Sequence, residues 1–236
     1  MRYAAPLVAG RLQRRYKRFL ADVTLDDGAA LTCHCPNTGS MLGCAEPGLR
    51  VWLSASDRPG RKYRHTWEQV ETREGVRVGI HTGRTNALVR EAIDAGRLLP
   101  ELGAAPAVRA EVPVPGAPMR ADFRLEDADG VRYVEVKNVT AAVEAGIALF
   151  PDAPSSRGVR HLEVLTGLVR AGGRAALVFC AQREDATEVR PADAIDPAYG
   201  RALREAIAAG VEVLALGARV EEHGIRADRR LPVVCP

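Results

Sequence analysis

A chain of 236 residues with 47% hydrophobic and 27% charged residues has the composition of a folded globular protein, which excludes a disordered, collagen-like or bare coiled-coil chain. Its longest clean apolar run, Ala175 to Ala181, falls far short of the ~20 residues of a bilayer span, and the first ten residues lack a signal-peptide pattern. Five cysteines are an odd number in a chain too long to need disulfide staples, so free thiols and a cytoplasmic location are expected. The formal net charge of +3 is uneven, with 13 basic against 8 acidic residues in 1–80 and 20 against 22 in 81–236, which directs an anionic partner to the first third.

From Leu7 to Ile80, strand-like runs alternate with turn residues. Phe19 to Leu25 precedes Asp26-Asp27-Gly28, Ala30 to Cys35 precedes Pro36-Asn37-Thr38-Gly39, Arg50 to Ser54 precedes Asp57-Arg58-Pro59-Gly60, and Val76 to Ile80 closes the series. No helical periodicity interrupts them, which predicts a small all-β barrel. Cys33, His34, Cys35 and Cys44 suggest zinc, but Cys33 and Cys35 share one strand face while His34 points away, and the paired C-x₂-C spacing is missing. Thr85-Asn86 is a plausible helix cap before Leu88, Val89, Ala92 and Ile93, which places a boundary between domains at 1–82 and 83–236.

The second part reads as mixed α/β. Strand Val108 to Val112 leads to a hairpin, Arg120 to Glu126 and Val131 to Lys137, turned by Asp127-Ala128-Asp129-Gly130. A helix from about Ser156 to Ala171, a strand from Ala175, a helix from Pro197 to Ala209 and a strand from Val211 follow. This order implies a mixed sheet covered by helices.

The hairpin carries the chemistry. A turn centred between Ala128 and Asp129 pairs residues whose numbers sum to 257, which sets Asp122 opposite Glu135, Arg120 opposite Lys137 and Arg124 opposite Tyr133 on one face, with Ala121, Phe123, Val134 and Val136 on the other. Carboxylates directly opposite lie ~5 Å apart and repel by about 3 kcal/mol at an effective dielectric of 20. A divalent cation between them offsets this, and oxygen-only ligation suits Mg²⁺ or Mn²⁺. Lysine is rare here, with Lys17, Lys62 and Lys137 against 30 arginines, and Lys137 is compact enough to orient a water beside a metal. The competing reading is a solvated face neutralised by the diagonals Asp122 to Lys137 and Glu135 to Arg120.

Asp122 with Glu135-Val136-Lys137 resembles the bipartite metal signature of the PD-(D/E)XK nuclease superfamily. Across nearly its whole length the chain resembles the sugar fermentation stimulation protein family, through His34-Cys35-Pro36-Asn37-Thr38-Gly39, Arg61-Lys62, Thr66-Trp67, Thr85-Asn86, Arg120-Ala121-Asp122-Phe123, Glu135 to Thr140, Phe150-Pro151-Asp152-Ala153, Arg157-Gly158 and His161-Leu162. The resemblance implies an N-terminal OB-like barrel, a C-terminal restriction-endonuclease-like α/β domain, DNA binding and a link to sugar metabolism. It also implies an acidic residue completing the metal site, for which Glu91 on the first helix and Glu111 on the following strand compete.

Arg157 and His161, four apart at a helix start, are candidates for holding a phosphate or another anionic ligand, as is Arg120; a capped helix with a solvated arginine is the bland alternative. His34 and Asn37 are candidates for a ligand or inter-domain contact. On an OB-like barrel, Arg14, Arg15 and Lys17 would track a phosphate backbone while Tyr16 stacks a base, with Arg61 and Lys62 flanking the same groove; the alternative is a solvated basic loop. The expected protein binds DNA and carries a nuclease-like Mg²⁺ site. The competing functions are a non-catalytic DNA-binding regulator and a nucleotide or sugar-phosphate sensor.

Overall fold

The computed structural model describes residues 1–98, 101–103, 107–144 and 146–236. Strands β1 (Val8–Tyr16), β2 (Leu20–Leu25), β3 (Ala30–His34), β4 (Arg50–Ala55) and β5 (His65–Glu71) join in the order 3-2-1-4-5, and β3 meets β5 at His34 and Thr66 to close a five-stranded OB barrel. Strand β6 (Arg77–Gly79) extends the edge beside β5. Leu12, Val23, Cys33, Cys35, Val51, Leu53, Trp67 and Val70 fill the barrel. Strand β1 is not evident from the sequence, because Arg11, Gln13 and Arg14 on its wet face mask the buried Gly10 and Leu12. Gly10 is required there, since a Cβ would stand 2.6 Å from the Thr24 carbonyl oxygen.

After a 3₁₀ turn at Thr82–Arg84, helix α1 (Thr85–Asp94) leads to β7 (Ala107–Pro113), β8 (Arg120–Asp127) and β9 (Gly130–Val139). Then come β10 (Ala142–Glu144), β11 (Ile147–Phe150), α2 (Ser156–Arg170), β12 (Arg174–Ala181), β13 (Glu188–Pro191), α3 (Pro197–Ala209), β14 (Glu212–Glu221) and β15 (Gly224–Leu231). The main sheet runs 15-14-12-9-8-7, with β12 parallel to both β9 and β14. Such a central strand is covered on both faces, and β12 is buried from Ala175 to Ala181. Helix α1 lays Leu88, Val89, Ala92 and Ile93 on one face of the sheet, while α2 and α3 lay Leu162, Leu165, Tyr199 and Leu203 on the other. Strands β10, β11 and β13 form a separate small sheet.

The caps follow the physics of exposed helix ends. Ser155 accepts from the Gly158 N–H at α2, Asp196 from the Tyr199 N–H at α3, and Gly210 closes α3 at φ 98°. The expected cap at Thr85 and Asn86 is corrected: both residues lie inside α1, whose cap position is Arg84, and their side chains turn elsewhere.

The two parts meet over buried polar contacts. Glu68, fully buried, accepts from Arg84 at 2.8 Å and from Ser54 at 2.7 Å. Gln69 donates to the Tyr3 hydroxyl and the Glu221 carbonyl, and Gly79 N–H to the Gln182 carbonyl. Asp152 accepts the Met41 N–H at 3.0 Å. Among the described residues no helix is long and apolar enough to cross a membrane.

Candidate metal and phosphate site

The hairpin register follows the expected sum of 257 from Asp127–Gly130 to Phe123–Val134, where the ladder stops. At the next position Asp122 Oδ2 accepts the Val136 N–H at 2.7 Å, so a side chain takes a backbone donor and the strands part. Ala121 accordingly leaves the face of Phe123 and packs with Val114 and Val139 in the opposite core, a correction to the single apolar face expected. The gap opens into a cavity of about 450 Å³. Asp122, Glu135 and Glu111 line it together with Arg120, Arg157, Arg160 and His161.

Glu135 is 4% exposed, and its Oε1 accepts from Lys137 Nζ at 2.6 Å and meets His161 Nδ1 at 2.6 Å. Arg157 Nε reaches His161 Nε2 at 3.3 Å, which makes Nε2 the acceptor and leaves the proton on Nδ1, facing Glu135. Burial works against the Glu135 charge, but the His161 hydrogen bond and Lys137 prevail and hold its pKa below the ordinary value. Asp122 goes the other way. Burial first, and then repulsion from Glu135, push its carboxyl up to about 6, against the opposing hydrogen bonds from Val136 and Asn86. Neither diagonal of the salt-bridge alternative forms: Lys137 bonds Glu135 along its own strand, and Arg120 bonds the Glu111 carbonyl.

Among the described residues no group of three or more His, Cys, Asp or Glu converges as a ready-made metal cage. The donor set nevertheless fits a small hard cation. Mg²⁺ takes one or two carboxylates and fills its remaining positions with water and phosphate oxygens, and Asp122 and Glu135 line the same cavity. Glu91 does not belong here. It is 52% exposed and accepts from the N-terminal amine at 2.5 Å. The α1 residue that reaches the site is Asn86, which donates to Asp122 Oδ1 at 2.8 Å, and five positions of helix carry Glu91 about 140° round from it. Glu111 lines the cavity from β7, where it takes φ 53°. Arg160 is a lining residue that the sequence reading missed; its position three residues after Arg157 was the available signal.

The barrel candidates divide. Lys17 lies in the β1–β2 loop and Arg61 and Lys62 in the β4–β5 loop of residues 56–64. Arg61 bonds the Thr66 hydroxyl and Lys62 lies 5.5 Å from the Tyr63 ring. Arg14 is exposed, pairs with Asp22 and stacks 4.9 Å over Tyr16. Arg15 is corrected from a DNA contact to a brace, since its guanidinium donates to the carbonyls of Arg18, Asn37 and Gly39 at 2.8–2.9 Å. Asn37 is buried and its side chain accepts the Gly39 N–H in a tight turn, so it shapes the chain rather than presenting to a ligand. His34 is half-buried on β3, while Cys33 and Cys35 face the barrel core. Burial pushes the Cys33 thiol up to about 12, which leaves it unreactive.

A closed OB barrel joined to a mixed-sheet α/β domain, with carboxylates and arginines around one cavity, defines a two-domain protein with an anion-facing site. Residues 14–80 match the family model described as the SfsA N-terminal OB domain, and residues 83–224 that of the sugar fermentation stimulation protein RE domain. The chain belongs to the sugar fermentation stimulation protein family. It is 61% identical to a sugar fermentation stimulation protein homolog of Alkalilimnicola ehrlichii over 100% of both chains. It is 63% identical to that of Halorhodospira halophila, over 99% of this chain and 98% of the other. The solved structure of Pyrococcus furiosus SfsA in complex with Ca²⁺ superimposes with a TM-score of 0.87 at 30% identity, covering 99% of this chain and 98% of that one.

Proposed function

We propose that the chain is a cytoplasmic DNA-binding protein whose α/β domain hydrolyses phosphodiesters with Mg²⁺ or Mn²⁺. The observation that carries this reading is the shared cavity, in which Asp122 and Glu135 face Arg120, Arg157 and Arg160, with Lys137 held at Glu135. A binder of polyanions gains nothing from two carboxylates among its arginines, whereas a metal-dependent phosphoryl site needs both signs of charge. The Ca²⁺ of the Pyrococcus furiosus relative supports a hard-cation site, since Ca²⁺ and Mg²⁺ both choose carboxylate oxygens.

Asp122 and Glu135 are the residues that would hold the cation. When bound, it supplies Lewis-acid polarisation of a phosphoryl oxygen and a more acidic water. Lys137 is the group to orient the attacking water, while Arg120 and Arg157 bind non-bridging phosphate oxygens as charge develops on them. His161 fixes Glu135 through Nδ1 and is itself fixed by Arg157. On the barrel, the basic loops at 17–19 and 56–64 are the β1–β2 and β4–β5 loops, which OB folds use together with the β2–β3 face to take up oligonucleotides.

The test is incubation of the purified protein with single-stranded and duplex DNA and with RNA, in Mg²⁺ or Mn²⁺ and in chelator, beside Asp122→Asn. Metal-dependent cleavage lost in the variant supports the nuclease. DNA binding without cleavage leaves the non-catalytic regulator. The cavity of about 450 Å³ also matches a nucleotide or sugar phosphate, so binding of such a ligand in the absence of any DNA affinity favours the sensor.

A further inference from the structure

The loop that joins β1 to β2 carries a feature that the cavity does not use. Phe19 is 45% exposed, one of three large hydrophobic side chains left exposed among the described residues. It follows Lys17 and Arg18, which take φ values of 50° and 65°, a region that residues with a Cβ rarely enter. Glycine or asparagine is the usual occupant of such positions, and here two long cations hold the strained turn that precedes Phe19. Strain of this kind persists only where the surroundings enforce it. The surroundings do so: Arg18 Nε donates to the Thr38 carbonyl, Arg15 to the Arg18 carbonyl, and the Phe19 carbonyl accepts the Cys35 N–H at 2.8 Å.

Tyr16, the base-stacking residue expected from sequence, is occupied. Its hydroxyl bonds Asp22 and the Arg14 guanidinium stands 4.9 Å from its ring. Phe19 has an open ring instead, and no acidic residue lies between Arg11 and Ala21. Among the described residues Lys17 makes no ion pair, so an uncommitted cation lies two positions from Phe19 in the same loop. An aromatic face on a basic rim is complementary to a base flanked by phosphates, and not to a cationic or purely apolar partner.

We propose that Phe19 is a stacking platform for an unpaired base of a single-stranded nucleic acid, with Lys17 and Arg18 beside the flanking phosphates. This rests on the reading of the barrel as a nucleic-acid binder and adds that it takes single strands in preference to duplex, whose bases are stacked on one another and closed to an intruding ring.

Fluorescence anisotropy with a labelled mixed-sequence single-stranded DNA oligonucleotide, and with its duplex, tests this on the full chain carrying Phe19→Ala, Phe19→Leu or Phe19→Trp. One stacked base contributes about 1–3 kcal/mol, so Phe19→Ala and Phe19→Leu should weaken single-strand binding roughly 5- to 150-fold. Phe19→Trp should retain it, duplex affinity should stay within about twofold, and the salt slope should be unchanged because no cation is removed. An exposed loop residue leaves the fold intact, which an unchanged melting temperature verifies. Unchanged single-strand affinity in Phe19→Ala, or equal losses on both substrates, overturns the proposal while the barrel reading stands. A wild-type dimer in sedimentation that Phe19→Ala dissociates overturns it in favour of a self-interface. A wild-type chain that binds neither oligonucleotide overturns the barrel reading as well.

Discussion

Replacing Asp122 by Asn in metal-free protein isolates the cost of ionising this buried carboxyl beside Glu135. The displacement of its pKa from the ordinary 3.8 to about 6 corresponds to about 3 kcal/mol of disfavoured ionisation in the folded state. A carboxyl with a raised folded pKa contributes stability that is fully present below the unfolded value and is lost as pH rises through the folded one. Wild type therefore gives up most of this, about 2.4 kcal/mol, between pH 4 and pH 8, whereas Asp122→Asn does not. The variant weakens the hydrogen bonds from Val136 and Asn86, because both carboxyl oxygens can accept whether the group is neutral or ionised, whereas the amide NH₂ cannot and opposes one donor; this costs about 1–2 kcal/mol at every pH. At pH 4 the variant should thus be the less stable protein by about 1–2 kcal/mol, and at pH 8 the more stable by a similar amount. Urea denaturation in chelator at pH 4, 6 and 8 measures both. A difference between the two proteins that does not change with pH would refute the charge argument, and a variant less stable at pH 8 would show that its hydrogen bonds outweigh it.

Glu135→Gln should act in the opposite sense and destabilise metal-free protein by about 2–4 kcal/mol at pH 8, because it strands Lys137 in a largely buried position; the same denaturation series checks it. The wild-type stability held by this group is present above the unfolded carboxyl pKa and lost as pH falls through its lowered folded value. Mg²⁺ or Mn²⁺ titrated into chelator-treated protein should stabilise the fold by mass action, by about 2.7 kcal/mol at a hundredfold excess over Kd, and an unchanged melting temperature would remove the metal site. Arg14 and Lys17 changed together to Ala should weaken DNA binding at all sequences and lower the slope of log K against log salt by up to ~0.9 for each duplex phosphate no longer neutralised. Arg15→Ala should instead lower stability by about 1–3 kcal/mol, seen in urea, since it strips three carbonyls of their donor.

Features written in local patterns were legible. Asp127-Ala128-Asp129-Gly130 fixed the hairpin register, and the alternation on either side placed Asp122 and Glu135 together because a one-residue slip would have turned every side chain over. Helices α2 and α3 announced themselves through Ser155, Asp196-Pro197 and Gly210. Features that depend on charge distribution across a surface were not. Strand β15 hides Ile225, Ala227 and Leu231 among Arg226, Asp228, Arg229 and Arg230, as β1 hides Leu12 among its arginines. Glu91, which competes with Glu111 as the third acidic residue, is ruled out by helix phase, because it stands on the side of α1 away from Asn86, the α1 residue that reaches Asp122. The role of Arg15 was illegible for a different reason: its partners are backbone carbonyls, which any sequence supplies.

His34 and Asn37 are read from sequence as candidates for a ligand or an inter-domain contact, and the loop that they begin meets Asp152 of the α/β domain. A Cβ on Gly39 would stand 2.5 Å from the Asp152 carboxylate, so a side chain there would displace that carboxylate from the loop. Asp152 then accepts the Met41 N–H, and Asn37 and Arg15 hold the loop to that shape from within the barrel. From Asp152 the chain runs directly to the Ser155 cap, which sets the first turn of α2 and with it Arg157, the residue that orients His161 toward Glu135. Arg18 is tied to the same loop through the Thr38 carbonyl, so one short segment braces both the exposed Phe19 and the start of the helix that lines the cavity. A seam of this kind does no chemistry. It holds an aromatic platform and a carboxylate pair in a fixed relation, which is what a protein needs if a strand held on its barrel is to present its backbone to the cavity.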